Sequence, residues 1–272
     1  MTESSKVQEF IYRYSVLAYF LYAIRDALTG SIRFYFDMFG LGILWFVPDM
    51  MAFGAVFLFI YLQFYVKKNI IGQFFVVLFL FSAASSVVFM NTTIFALFSS
   101  LKMFIPMFIG MCFMDRSITE SPRHRRYLFI IMMVSAWGII LNPYVEYPWV
   151  GQSFSSFGIE RDASKLWWAE GAIRYGGFAG DSTMAAYMVV FLYFLLSPYY
   201  SIKANLALWP ILIAAVHIST SKTAIGVLYI YFAAYLVFFA GRKYSVLIRN
   251  VRLLTQLSFL CLAIPLVLIV IF

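Results

Sequence analysis

The chain has 272 residues, of which 64% are apolar and only 12% charged, and its mean hydropathy is +0.89. Soluble domains carry about 25% charged residues, so the composition excludes an ordinary water-soluble globule and describes an integral membrane protein. A net charge of +8 would suggest nucleic acid in a soluble protein, but here the basic residues are first a matter of membrane topology, and no nucleic-acid partner is expected.

Apolar stretches of about 17 to 25 residues match the length a helix needs to cross about 30 Å of hydrocarbon, whereas barrel strands would alternate polarity at every residue. The expected fold class is therefore all-α: a polytopic transmembrane helix bundle of about nine spans, forming a single integral membrane domain over 1–272. The spans are read at about 8–24, 38–66, 69–89, 92–114, 127–142, 182–198, 205–218, 223–240 and 254–272. The polar start from Met1 to Lys6 lacks the small-residue site of a cleavable signal, so the first span is read as a retained anchor. Span 38–66 is too long for a straight crossing and contains Pro48 and Asp49, so it should be broken or preceded by an interfacial helix. Lys102 falls near the middle of the fourth span. An exposed ammonium there would cost about 3 kcal/mol, so it must face protein or a water-filled cavity. Asp49 is the candidate counter-charge, and a pairing role and a substrate-cavity role both stay open. The final span ends at Phe272 inside an apolar run, which suggests a frame that is short relative to its relatives or naturally truncated, with room for one missing helix. Cys112 and Cys261 lie within apolar runs, arguing against a disulfide framework and a metal site; no cofactor is expected.

Orientation follows from the excess of Lys and Arg on the cytoplasmic side. With the N-terminus inside, 13 of the 20 basic residues fall inside. Six fall outside (Arg25, Arg33, Arg161, Lys165, Arg174 and Lys222), and Lys102 lies within a span. The longest loop, 143–181, then faces outward, into the periplasm or the exterior of a bacterium.

Two polar segments stand out on that outward side. Arg174-x-x-Gly177-Phe-x-x-Asp181-Ser precedes one apolar run, and Ser219-Thr-Ser221-Lys222-Thr-Ala precedes another. A cation beside flexible backbone and hydroxyls suits a diphosphate, whose charge a guanidinium fork neutralises in two-point fashion. Gly177 and Gly180 would allow close backbone approach, and a helix starting at Asp181 or Ser182 would offer free N–H groups. The competing readings are a helix cap for Gly-Asp-Ser-Thr and a merely snorkelling Lys222.

With those motifs, the multi-span topology and the large outward loop, residues 40–270 resemble the O-antigen ligase and polysaccharide-polymerase superfamily. The resemblance implies a membrane glycosyltransferase of the C-type architecture, multi-pass in the bacterial inner membrane with its N-terminus cytoplasmic. Such an enzyme takes an oligosaccharide from an undecaprenyl diphosphate carrier at the outer face, without metal or nucleotide sugar. It would make O-antigen, capsule or exopolysaccharide, with a flippase and a chain-length regulator as further partners beside the bilayer. Lys222 stands where many members have arginine, and the later outward loop that carries a histidine in ligases is missing. That favours a polymerase over an O-antigen ligase. The rival class is a lipid-linked-sugar flippase or other transporter, but no matching pair of broken spans is evident in the two halves; a noncatalytic subunit of an export complex is a third reading.

An acceptor hydroxyl needs a base in reach. The outward carboxylates are Glu146, Glu160, Asp162, Glu170 and Asp181, and His217 precedes Lys222 by five positions. His217 and Glu170 are the leading catalytic pair, Glu170 because a helical turn would place it on the face of Arg174; Asp181 reads as a cap. An ion pair for Glu170 and an intrabundle hydrogen bond for His217 are the alternatives. The expected substrate-binding set is Arg174, Gly177, Lys222, Ser221, Arg161 and Lys102. Trp149, Trp167, Trp168, Tyr144 and Tyr147 are read as interfacial anchors or as sugar-stacking rings.

Overall fold

A computed structural model describes residues 3–90, 102, 104–113, 116–156, 159–165, 167–169 and 172–243. The chain divides into two compact units, Met1–Ser221 and Lys222–Phe272. The first contains α1 (Glu3–Ala27), α2 (Thr29–Met38), α3 (Val47–Tyr61), α4 (Ile70–Met90), α5 (Pro106–Met111), α6 (Pro122–Leu141), α7 (Ser182–Leu196) and α8 (Ile202–Ile218). The second contains α9 (Lys222–Lys243).

The protein is mostly helical. Three stretches among the described residues are long and apolar enough to cross a membrane: Gly42–Val66, Pro122–Leu141 and Ser182–Tyr199. The expected span at 254–272, Cys261 and all of 92–101 lie outside the described residues.

Burial follows one face of each helix. In α6 the buried positions include Leu128, Met132, Ser135 and Ile139, and in α7 Ala185, Val189, Leu192 and Leu196, each set spaced by three or four. That is the period that lines up one stripe of a helix. These two helices pack on each other, and α1 packs on both. Alanines at Ala18, Ala52, Ala55, Ala185 and Ala215 are buried; small residues at such contacts let helix backbones approach closely where lipid offers no hydrophobic drive. Large apolar side chains point outward instead, including Phe57, Ile70, Ile71 and Phe81, as a chain solvated by hydrocarbon requires.

The overlong span 38–66 is broken, but ahead of its proline. After α2, Gly40 takes φ +68, a 3-10 turn covers Gly42–Phe46, and α3 follows. Pro48 occupies the first turn of α3, where its missing N–H would have had no helical partner. The glycine makes the break; the proline starts the next helix.

The loop 143–181 departs from the all-α expectation. It forms two antiparallel hairpins: β1 (Ser153–Ser156) with β2 (Ile159–Asp162), and β3 (Trp167–Ala169) with β4 (Ala172–Arg174). Ser153 pairs with Asp162, and Trp167 with Arg174.

Candidate functional site

The Arg174–Gly177 segment is wedged between the α1–α2 junction and the end of α6. The Gly177 N–H donates to Asn142 Oδ1 at 3.0 Å, and its carbonyl accepts from Trp149 Nε1 at 3.1 Å. Next, the Phe178 carbonyl accepts the N–H groups of Gly30 and Ser31 at 3.0 and 3.2 Å. Tyr147, Trp149 and Phe178 stack around the segment, with centroids 4.7 Å apart for Tyr147–Trp149 and 5.1 Å for Tyr147–Phe178. The Tyr147 hydroxyl donates to the Gly138 carbonyl at 2.9 Å, and burial pushes this phenol above its usual range. Trp149 is 4% exposed. Trp149 is therefore an internal strut, and Tyr147, half-buried, stacks against it. Tyr144 is exposed, and the side chains of Trp167 and Trp168 lie outside the described residues.

This wedge presents a cavity of about 500 Å3 lined by Thr29, Arg33, Trp45, Phe154, Asp162, Lys165, Arg174, Gly180, Asp181 and Thr183, with Ala163; its size suits a small-molecule site. Three of the six cations read as outward meet here, from α2, the loop and β4. Arg174 Nε is buried and has no hydrogen-bond partner among the described residues. Arg33 is 4% exposed, and its guanidinium carbon lies 3.9 Å from the Phe154 ring centroid and 5.4 Å from that of Trp45. Aromatic faces thus hold its charge in place by the ring quadrupole. Asp181 caps α7, accepting the Met184 N–H at 2.7 Å; the amides of Ser182 and Thr183 sit in the same first turn, at the positive end of the helix dipole. Gly180 brings the backbone to the cavity wall, and its carbonyl accepts the Lys165 N–H at 2.9 Å. Asp162 is an exposed carboxylate on that wall.

A second polar cluster adjoins through Trp45, whose ring also lies 5.5 Å from the Arg25 guanidinium. Asp49 is 8% exposed by side chain and holds Lys102 Nζ at 2.6 Å and Arg25 Nη1 at 2.8 Å. The Tyr22 hydroxyl donates to the same carboxylate at 2.8 Å, and Arg25 Nε reaches Asp26 at 3.1 Å. Lys102 is thereby paired with its expected counter-charge and does not line the cavity.

Other expected site residues are placed differently. Gly177 adopts φ +63, and a Cβ there would lie 2.7 Å from Gly138 C and Ile139 N, so its close approach serves α6 and not a ligand. Arg174 sits on a strand, which removes the helical basis for pairing it with Glu170; Glu170 itself, and the side chain of Arg161, lie outside the described residues. His217 is in the last turn of α8 with Nδ1 2.9 Å from the Ile213 carbonyl, the intrabundle alternative, and it is not on the cavity wall. Ser221 is 6% exposed and follows Thr220 at φ +54; Ser219 Oγ donates to Val216 O at 2.7 Å. The hydroxyl-rich segment is thus a buried turn ending α8. Lys222 is exposed and opens α9.

No protein-family model matches this chain. Neither curated proteins nor solved structures give a match either.

Residues outside the expected set complete the cavity. Arg33 was legible only as one of six outward charges, and Lys165 likewise. Asp162 was one of five equivalent carboxylates. A sequence signal for the hairpins did exist: Phe157-Gly158 and Glu170-Gly171 each put glycine second in a two-residue connection.

Proposed function

We propose that the protein is a membrane glycosyltransferase, a polymerase of lipid-linked oligosaccharide repeats carried on undecaprenyl diphosphate at the outer face of the bacterial inner membrane. The observation that carries this reading is the convergence of Arg33, Lys165 and Arg174 with the first turn of α7 on one cavity. Two guanidiniums, an ammonium and free amide N–H groups form the environment that a diphosphate leaving group needs.

In this reading the acceptor sugar hydroxyl oxygen attacks the anomeric carbon of the donor. The bond from that carbon to the phosphate oxygen breaks, and its electron pair stays on the diphosphate beside Arg174 and Arg33. The hydroxyl proton passes to Asp162, the cavity carboxylate not engaged in capping, which takes the general-base role first considered for Glu170 and His217. No metal enters this scheme: fixed cations supply the charge.

Arg174→Lys tests it. The variant keeps the charge and loses the planar fork, so polymer formation from purified lipid-linked repeats should fall at least tenfold at unchanged protein abundance. Polymer of wild-type length and yield from Arg174→Lys and Arg174→Ala alike would remove the donor-binding role and leave this segment as a structural wedge.

A further inference from the structure

A second cavity, of about 640 Å3, runs between α1 and α6. Its walls are apolar: Leu17, Phe20 and Ile24 on α1, Tyr127, Ile130 and Val134 on α6. Most of these side chains are exposed. From Arg123 to Val134 the groove spans about 16 Å at 1.5 Å per residue, which is about one leaflet of a hydrocarbon core of about 30 Å.

One end of the groove is cationic, carrying Arg13 and Arg123, with His124 beside them. Arg13 is 78% exposed and shares Glu9 with Arg116, at 2.8 and 2.6 Å, so a single carboxylate there faces two guanidiniums. The start of α6 is odder. Arg123 and Arg125 fall in its first turn with Arg126 next, that turn holds no acidic residue, and the N-cap Ser121 makes no side-chain cap bond. Cations there oppose the positive end of the helix dipole. Arg125 has its own role, donating to the Thr119 carbonyl at 3.3 Å and lying over the Tyr199 ring. His124 is tied to the Ile118 carbonyl at 3.2 Å and packs edge-on against Phe20. The Arg123 side chain is exposed and makes no hydrogen bond or ion pair among the described residues. An anion at this spot would reverse the conflict, neutralising the arginines while accepting from the helix terminus.

We infer that this groove holds one anionic glycerophospholipid. Its phosphate sits between Arg13 and Arg123, and one acyl chain lies between the α1 wall and the α6 wall. The occupant fastens α1 to α6 from the membrane side. Charge complementarity chooses the headgroup, and the leaflet-length apolar wall chooses the chain. The site stands apart from the glycosyltransferase reading, since none of its residues lines the first cavity.

The full-length chain, purified in detergent, would be titrated with phosphatidylglycerol or phosphatidylcholine and the retained lipid counted by native mass spectrometry. One phosphatidylglycerol should be retained in preference to phosphatidylcholine. Arg13→Gln with Arg123→Gln should weaken retention about 30-fold, from two headgroup cations at the usual contribution of each. Ile130→Trp, which fills the groove and leaves every charge in place, should abolish retention; Leu17→Trp provides the same block from α1 if the first variant does not fold. Equal retention of both lipids would overturn the proposal, as would an unaffected double-glutamine variant. Undiminished retention in a correctly folded groove-filled variant would also overturn it, reducing the arginines to diffuse surface charge. Displacement of the bound lipid by undecaprenyl phosphate at equal concentration would assign the groove to a polyprenyl tail, and a self-cross-link through Ile130→Cys would assign it to a second copy; either outcome refutes the lipid.

Discussion

Gly177→Ala provides the sharpest test of how the Arg174–Gly177 segment is held. Gly177 has φ +63, and a methyl group there would lie 2.7 Å from two backbone atoms of α6. The left-handed conformation costs a non-glycine residue about 1–2 kcal/mol. Overpacking against atoms that cannot swing aside adds about 1–3 kcal/mol, so the total is about 2–5 kcal/mol. Gly151 separates the two contributions: its φ is +76, and a methyl group there would meet nothing within 4 Å, so Gly151→Ala should cost only the conformational part. Denaturant unfolding of both variants in mixed micelles, followed by near-UV circular dichroism, should place Gly177→Ala below Gly151→Ala by about 1–3 kcal/mol. Under the proposed polymerase reading, polymer formation should fall with it, because Arg174 is three residues away on the same segment. Equal stabilities for the two variants would refute the contact between Gly177 and α6, and with it the account of how Arg174 is positioned.

Three further outcomes are expected. Asp49→Asn strands Lys102 and Arg25, 2.6 and 2.8 Å from the lost charge, and should destabilise the protein by about 3 kcal/mol; Lys102→Met in that background should recover part of the loss, and strictly additive effects in the double-mutant cycle would contradict the pairing. A single cysteine at Ser155 should react with an impermeant thiol reagent in intact spheroplasts while one at Ser121 should not, and labelling at Ser121 alone would invert the orientation. If Lys222 contacts the diphosphate, Lys222→Arg should keep activity and Lys222→Met should lose it; an active methionine variant at normal abundance would confine donor binding to the first cavity.

Much of the local architecture was legible in the sequence. Composition determined the membrane class, and the Asp181 cap marked the start of α7, because a carboxylate can satisfy a helix terminus two or three residues on. Lys102 demanded a counter-charge because burial of an ammonium is costly, and Asp49 was the acidic residue at hand. These are short-range or single-residue energies, and they are written in the chain order. What the tertiary structure alone decided was company. Arg33 lies 141 positions before Arg174, and nothing local distinguishes it from Arg25 or Arg161; only the docking of Gly30 and Ser31 onto the Phe178 carbonyl brings α2 to the loop and places both guanidiniums on one cavity. The glycine of the Arg-x-x-Gly element likewise looked like room for a ligand and proved to be room for a helix. A sequence specifies that backbone must pass closely at such a residue, but which partner it passes is set by packing between distant segments.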